Sequence, residues 1–375
     1  GDGTPLDTFS HPPPDSVFHA YTITSCGNTD IFGNPDRFTY VVEAINVCGA
    51  TTVTVSPIRL FTTPVASFEL DPIIPCANQF VIFDNTSDPG TEISCSGVSG
   101  YSWYFGDGDS AIVFDGSSQL HSYSDTGSYQ AMLIADNFTC APDTFYQSVC
   151  VQPEPVADFT LSATSECVPA VIDATNLSNT LGSSCSTVDY HWRVIFHQSD
   201  CVPTLGFWDF APGSTPSSVN PSFEFDMPGE YTIELSVANG CDIDTMRVPV
   251  TIKTAPEATL DPVSEFCETA TFTPVVNADS CYGTIGNYSW TFPGATPATS
   301  NQQFPGPVTY PNPGTQSYSV DVSNECGTTT ATESFIIHPP PVVDAGPDRT
   351  ICEGAGTQIG GNPTAMGNFP FSYNW

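Results

Sequence analysis

Basic residues are almost missing from this chain of 375 residues, where Lys+Arg number 6 against Asp+Glu 41 and the formal net charge is −35. Lys253 is the sole lysine. Surfaces that hold phosphates need clustered Lys and Arg, so nucleic acid is excluded as a partner. Adhesion to an anionic membrane surface is excluded on the same ground. The imbalance comes from missing bases rather than surplus acids, because charged residues are only 13% of the chain. No run of about 18 apolar residues occurs, which excludes a helical membrane span within this sequence. Also lacking is any amphipathic helical window of useful length. There is no Cys-x-x-Cys pair, and the six histidines (11, 19, 121, 191, 197, 338) contain no His-Glu-x-x-His, which argues against zinc. No Gly-x-Ser-x-Gly elbow exists, and Gly354-Ala-Gly356 followed by Gly360 misses the dinucleotide spacing. The chain is therefore expected not to be an enzyme.

What is present is 14 Cys, 35 Pro and 29 Gly, with 39% apolar and 12% aromatic residues. That apolar content suffices for packed cores and argues against wholesale disorder. So many cysteines without metal spacing imply disulfides and an oxidising, extracellular setting. No charged-then-apolar leader stands at Gly1, so a signal peptide is expected to have been removed or to lie upstream.

Three landmarks recur together. An early Cys appears at Cys76, Cys167, Cys267 and Cys352, spaced 91, 100 and 85 residues apart. A Tyr-x-Trp strand appears at Tyr101–Trp103, Tyr190–Trp192, Tyr288–Trp290 and Tyr373–Trp375, with Trp spacings of 89, 98 and 85. A Cys beside a turn after a Tyr-rich strand appears at Cys48, Cys140, Cys241 and Cys326, spaced 92, 101 and 85. These series define a tandem unit of about 90 residues. Runs such as Tyr129-Gln-Ala-Met-Leu-Ile-Ala-Asp-Asn137 and Tyr231-Thr-Ile-Glu-Leu-Ser-Val-Ala-Asn239 alternate at period two, as strands do. About seven short strands with a buried Trp predict an all-β fold, a tandem array of immunoglobulin-like β-sandwich domains.

Boundaries fall at the proline-bearing segments Phe61–Pro64, Gln152–Pro155, Thr254–Pro256 and His338–Pro341. The expected domains are 1–62 (partial), 63–153, 154–254 (with an insertion around His191–Asp209), 255–338 and 339–375 (partial). Short linkers with proline restrict hinge motion and predict an extended, semi-stiff array. Because Gly1-Asp-Gly-Thr4 matches Gly106-Asp-Gly-Asp109, the sequence is expected to be a window on a longer polypeptide.

These landmarks resemble the PKD domain, a sandwich module marked by Trp-Asp-Phe-Gly-Asp-Gly, His-x-Tyr and Gly-x-Tyr. The second unit has Trp103-Tyr-Phe-Gly-Asp-Gly108, His121-Ser-Tyr123 and Gly127-Ser-Tyr129, and the first has Gly1-Asp-Gly3 and His19-Ala-Tyr21. The third and fourth units depart, with Phe210-Ala-Pro-Gly213 and Phe292-Pro-Gly294 at the turn. Asp344–Gly354 resembles a repeat common in giant secreted surface proteins and adhesins of Bacteroidota. The resemblance implies a PKD-type fold and is weakly specific for function.

Five sets of candidate site residues follow. Asp107 and Asp109 are candidate calcium ligands, and the plainer reading is a tight turn capped by aspartate. The early and hairpin cysteines are expected to pair within units, as Cys76–Cys140, Cys167–Cys241 and Cys267–Cys326. Cys95, Cys185 and Cys281, ahead of the Trp strands, are expected to join extra cysteines such as Cys150 or Cys201, with Cys185–Cys201 preferred. Cys26, Cys48 and Cys352 are expected to pair outside the sequence. Trp103, Trp192 and Trp290 are expected in cores, whereas Trp208 in the insertion is a candidate surface contact. Asp242 and Asp244 are expected to face solvent. Ser16, Ser110 and Thr245 fit an Asp-Ser/Thr-aliphatic O-glycosylation pattern, and Asn85, Asn137, Asn176 and Asn287 stand in Asn sequons.

The expected role is a non-catalytic extracellular stalk segment of a large bacterial cell-surface protein or filament, exported by the type IX route. Its expected partners are neighbouring repeats of the same long chain, together with surface glycans, other cells or matrix. The alternative is a set of accessory substrate-binding modules of a secreted polysaccharide- or protein-degrading enzyme.

Overall fold

The structure, a computed structural model, describes residues 2, 4, 7–97, 99–179, 185–198, 201, 207–362, 364–366 and 372. The Trp strand expected at Tyr373–Trp375 and residues 199–200 and 202–206 of the third unit's insertion lie outside the described residues. Among the described residues every regular element is a β-strand. No helix there is long and apolar enough to cross a membrane.

The second repeat shows how the alternating pattern becomes a sandwich. One sheet joins Phe68–Asp71, Phe80–Asn85 and Gln119–Ser122; the other joins Ser110–Val113, Gly100–Tyr104, Gly127–Asp136 and Asp143–Val151. In Gly127–Asp136 the odd positions Ala131, Leu133 and Ala135 are buried, and Met132 and Ile134 face outward. Burial of one face fixes the register, because a one-residue slip would turn Leu133 to solvent. Trp103 closes the core against Phe68 and Phe83, at ring separations of 5.2 and 6.0 Å.

The third and fourth repeats repeat this plan around Trp192 and Trp290. Trp192 meets Phe159 at 4.9 Å, Trp290 meets Phe292 at 5.6 Å, and all three tryptophans are at most 1% exposed. The indole N–H groups of Trp192 and Trp290 donate to the Ser218 and Gln302 carbonyls at 2.9 Å.

The strand carrying the early Cys runs parallel to the last strand of its own repeat. Ser165–Cys167 pairs with Ile243–Lys253, and Phe266–Cys267 with Gly327–His338. Cys76 forms the matching parallel bridge with Gln152. Each early Cys thus lies where its repeat ends. In the first repeat the hairpin Phe38–Asn46/Gly49–Ile58 leaves Tyr40, Val42, Ile45 and Val53 exposed, and the fifth contributes the short pair Val342–Val343/Ala365–Met366.

The chain groups into two compact units. One is Gly1–Ala157 with Ser178–Asp189 and Val237–Asp244; the other is Asp158–Leu177, Tyr190–Ser236 and Thr245–Trp375. The two short segments of the third repeat that belong to the first unit carry Cys185 and Cys241, whose disulfide partners Cys150 and Cys76 lie in that unit too.

Candidate functional site

Ten of the 14 cysteines are joined in five disulfides, and their pairing differs from the expectation. The bonds are Cys26–Cys95, Cys76–Cys241, Cys150–Cys185, Cys167–Cys326 and Cys201–Cys281. None of Cys76–Cys140, Cys167–Cys241, Cys267–Cys326 or Cys185–Cys201 forms, and Cys26 finds its partner inside the chain. Every bond joins one repeat to the next.

Strand length explains the difference. Cys140 sits in the turn before Asp143–Val151, and Cys76 sits beside Gln152 at that strand's far end. Nine extended residues cover about 30 Å, whereas a disulfide needs Cα atoms about 5.5 Å apart. The hairpin Cys lies at the start of its sandwich and the early Cys at the finish. Each early Cys therefore meets the hairpin of the following repeat, with Cα–Cα distances of 5.2 Å for Cys76–Cys241 and 5.4 Å for Cys167–Cys326. Cys95, Cys185 and Cys281 do join extra cysteines, in each case one from the preceding repeat.

An asparagine that the sequence reading missed completes each junction. Asn137, Asn239 and Asn324 stand two or three residues before the hairpin Cys, as Asn46 does before Cys48. Asn324 Oδ1 accepts the backbone N–H groups of Cys326 and Gly327 at 2.8 and 3.1 Å, shaping the turn. Its Nδ2 donates to the linker carbonyl of Thr254 at 2.7 Å and to Ser280 at 3.1 Å. Asn137 donates likewise to Thr62 and Thr91 at 2.9 and 3.1 Å, and Asn239 to Pro153 at 2.7 Å. One side chain thus sets the cysteine's turn and holds the proline-bearing linker. Asn137 is only 1% exposed, which removes it as a glycan acceptor. Asp244 also turns inward: its Oδ2 accepts the Ala157 backbone N–H at 2.8 Å, and Asp143 does the same for Ala66 at 2.9 Å.

Three of the six bases, Lys253, Arg193 and Arg247, form ion pairs. Lys253 Nζ donates to Glu325 at 2.8 Å, one residue before Cys326, and Glu325 accepts from the Thr284 N–H as well. The bond from Lys253, then that from Thr284, brings the Glu325 carboxyl down to about 2. Arg193 and Arg247 both bind the nearly buried Glu234. The bond from Arg193 leads in holding Glu234 below the ordinary carboxylate range, against desolvation. A carboxylate with a depressed folded value adds stability above its unfolded value, near 4.3 for Glu, and loses it as pH falls through the folded value. The stability gap between wild type and Glu325→Gln is therefore expected to be full at neutral pH and to close by about pH 2. Paired melting curves across that range check it, and a gap that widens on acidification would contradict it.

The Gly-Asp-Gly turn is held by its own side chains. Gly106 has φ +91°, and a Cβ there would meet the Gln130 carbonyl oxygen at 2.7 Å, so only glycine fits. Asp107 accepts the Asp109 backbone N–H at 3.0 Å and contacts His121 Nε2 at 2.7 Å. Burial pushes the Asp107 carboxyl up, but these bonds outweigh it and leave the group low. His121 stacks on Phe105 at 4.1 Å, and His19 meets Asp2 at 2.8 Å in the first repeat. Asp107, Asp109 and His121 place ligand atoms within 4.8 Å of one another. Calcium takes six to eight oxygens. With Asp107 engaged by Asp109 and His121, EDTA is expected to leave the melting temperature unmoved, and a fall of several degrees would favour calcium at Asp107 and Asp109.

Trp208 is half-buried on a short strand, Trp208–Phe210, paired with Ser222–Phe225, and its ring lies 5.4 Å from Phe210 and 6.4 Å from Phe223. Ser16, Ser110 and Thr245 are all exposed. Of the eight cysteines proposed as bonded, Cys140 and Cys267 carry free thiols, as do Cys48 and Cys352.

No family model matches the chain, and no curated protein matches it. Solved structures do. An I-band fragment of titin aligns over 74% of this chain and 99% of its own, at 13% identity and a TM-score of 0.40. The N-terminal eight immunoglobulin domains of Down Syndrome Cell Adhesion Molecule align over 80% and 39%, at 12% identity and 0.38. Immunoglobulin domains 1–5 of Sidekick-1 align over 81% and 67%, at 13% and 0.31.

Proposed function

We propose that this chain is a non-catalytic, tension-carrying segment of a large extracellular surface protein, a stalk in which consecutive sandwiches are stapled rather than merely strung together. The observation that carries the reading is that all five disulfides cross repeat boundaries. A bond inside a sandwich protects that sandwich alone. A bond between sandwiches gives force a covalent route from one repeat to the next in addition to the linker. Repeat-crossing loops of 165 and 159 residues also rank among the most stabilising in loop-closure terms, at most about 5 kcal/mol each. Disulfides in this number fit an oxidising compartment. The acidic surface adds solubility, because like-charged neighbours repel.

The PKD-type motifs and the Asp344–Gly354 segment support a bacterial surface adhesin or filament of Bacteroidota type, with type IX export and O-glycans at Ser16, Ser110 and Thr245. Surface glycans, other cells or matrix are the partners such a protein would meet. The mass of the polypeptide at its source tests the reading. A stalk requires many times the 39.9 kDa of these residues. A chain only slightly larger, ending in a catalytic domain, would favour accessory modules of a secreted hydrolase instead.

A further inference from the structure

The cysteines outside the five bonds fall into the same two classes as those within them. Cys48 and Cys140 are hairpin cysteines; Cys267 and Cys352 are early cysteines. Both completed bonds of this kind run from an early Cys to the hairpin Cys of the following repeat. Under that rule Cys140 needs an early Cys from the first repeat, and Cys48 one from a repeat before it. Cys267 needs a hairpin Cys from the fifth repeat, and Cys352 one from a repeat after it. None of those four partners occurs in the sequence.

Three of the four free thiols, Cys48, Cys140 and Cys267, are also held as the bonded ones are. Asn46 Oδ1 accepts the Cys48 N–H at 2.8 Å and Asn137 Oδ1 that of Cys140 at 2.9 Å, matching Asn324 and Cys326 at 2.8 Å. On the early side, the residue after each of Cys76, Cys167 and Cys267 donates its N–H to the end of the last strand. These bonds are Ala77 to Gln152 at 2.9 Å, Val168 to Lys253 at 2.8 Å and Glu268 to His338 at 2.9 Å. Cys267 therefore stands in the setting of Cys76 and Cys167 with its partner missing. Cys48, Cys267 and Cys352 are exposed and Cys140 is half-buried, so the thiols are open to attack.

We propose that Cys48, Cys140, Cys267 and Cys352 are open halves of the same staple, each taking as covalent partner a flanking β-sandwich repeat of this pattern that bears the complementary cysteine. Hairpin thiols bond an early Cys of the preceding repeat; early thiols bond a hairpin Cys of the following one. Bond formation joins two thiols and releases two protons and two electrons. A disulfide oxidant, either a small-molecule disulfide or that of a thiol oxidoreductase, accepts them and becomes two thiols.

The inference rests on the pairing rule and not on the tension-carrying role. Two experiments test it. Protein taken from its source, alkylated at once and mapped without reduction, is expected to show Cys48 and Cys140 joined to early-class peptides and Cys267 and Cys352 to hairpin-class peptides, all from outside these 375 residues. Free thiols at these positions, like-class pairs, or partners from within the sequence (a second copy) would overturn it. The 375-residue chain alone, folded and unreduced, is expected to take iodoacetamide at these four cysteines, slowest at Cys140, and at no others. Label on Cys241 or Cys326 would overturn the rule itself, whereas the mechanical reading is decided separately by stretching the stapled segment.

Discussion

Stretched from its two ends without reductant, the chain is expected to stop at about 500 Å, and after reduction to reach about 1,300 Å, at roughly 3.5 Å per residue. The shorter limit follows from covalent topology. The shortest bonded path crosses Cys26–Cys95 and Cys167–Cys326 and holds about 146 backbone steps in place of 374. Staples inside the repeats, at Cys76–Cys140, Cys167–Cys241 and Cys267–Cys326, would stop the chain at about 620 Å by the same count. Single-molecule force spectroscopy resolves that difference. An oxidised length near the reduced one would remove the tension-carrying role altogether.

The largest single-residue effect is expected at the junction asparagines. Asn324→Ala removes a side chain that serves two turn N–H groups and two carbonyls, one of them on the linker. Polar groups left unpaired cost about 1–3 kcal/mol each, and part of that loss returns through water, so the net cost is about 2–4 kcal/mol. Amide exchange around Thr254–Glu257 and Cys326–Gly327 should then quicken by roughly 30- to 1,000-fold if the opening is local. Asn324→Asp keeps the acceptor but aims a carboxylate at the Thr254 and Ser280 carbonyls, and it is expected to be at least as damaging. Asn46→Ala is the internal control, because Asn46 shapes its turn at an exposed hairpin and should cost under about 1 kcal/mol. Equal exchange in Asn324→Ala and wild type would show that the disulfides alone fix the junction.

The fold was legible because its signals are local and repeated. Alternation in Tyr129–Asn137 placed Ala131, Leu133 and Ala135 inward, and Tyr-x-Trp placed Trp103, Trp192 and Trp290 in cores. The disulfide partners were not legible from spacing. A periodic array gives the same increments whether Cys76 meets Cys140 or Cys241, so the ruler that found the repeat is blind to the offset. The deciding fact is a non-local one: the early strand lies parallel to its repeat's last strand, which puts Cys167 beside Lys253 and far from its own hairpin. The asparagines were within reach, since Asn precedes the hairpin Cys by two or three residues in all four repeats. Taking the cysteine apart from its turn concealed them. Lysine scarcity, read at first as a statement about partners, has a more specific local counterpart, because Lys253 is bound to Glu325 beside a staple.

Non-reducing peptide mapping of Cys76 and Cys167 bears most directly on the claim that neighbouring sandwiches are covalently joined. The account predicts two linked peptides, one containing Cys76 with Cys241 and the other Cys167 with Cys326. Recovery of Cys76 with Cys140 and Cys167 with Cys241 would contradict it and return each bond to the interior of a single repeat.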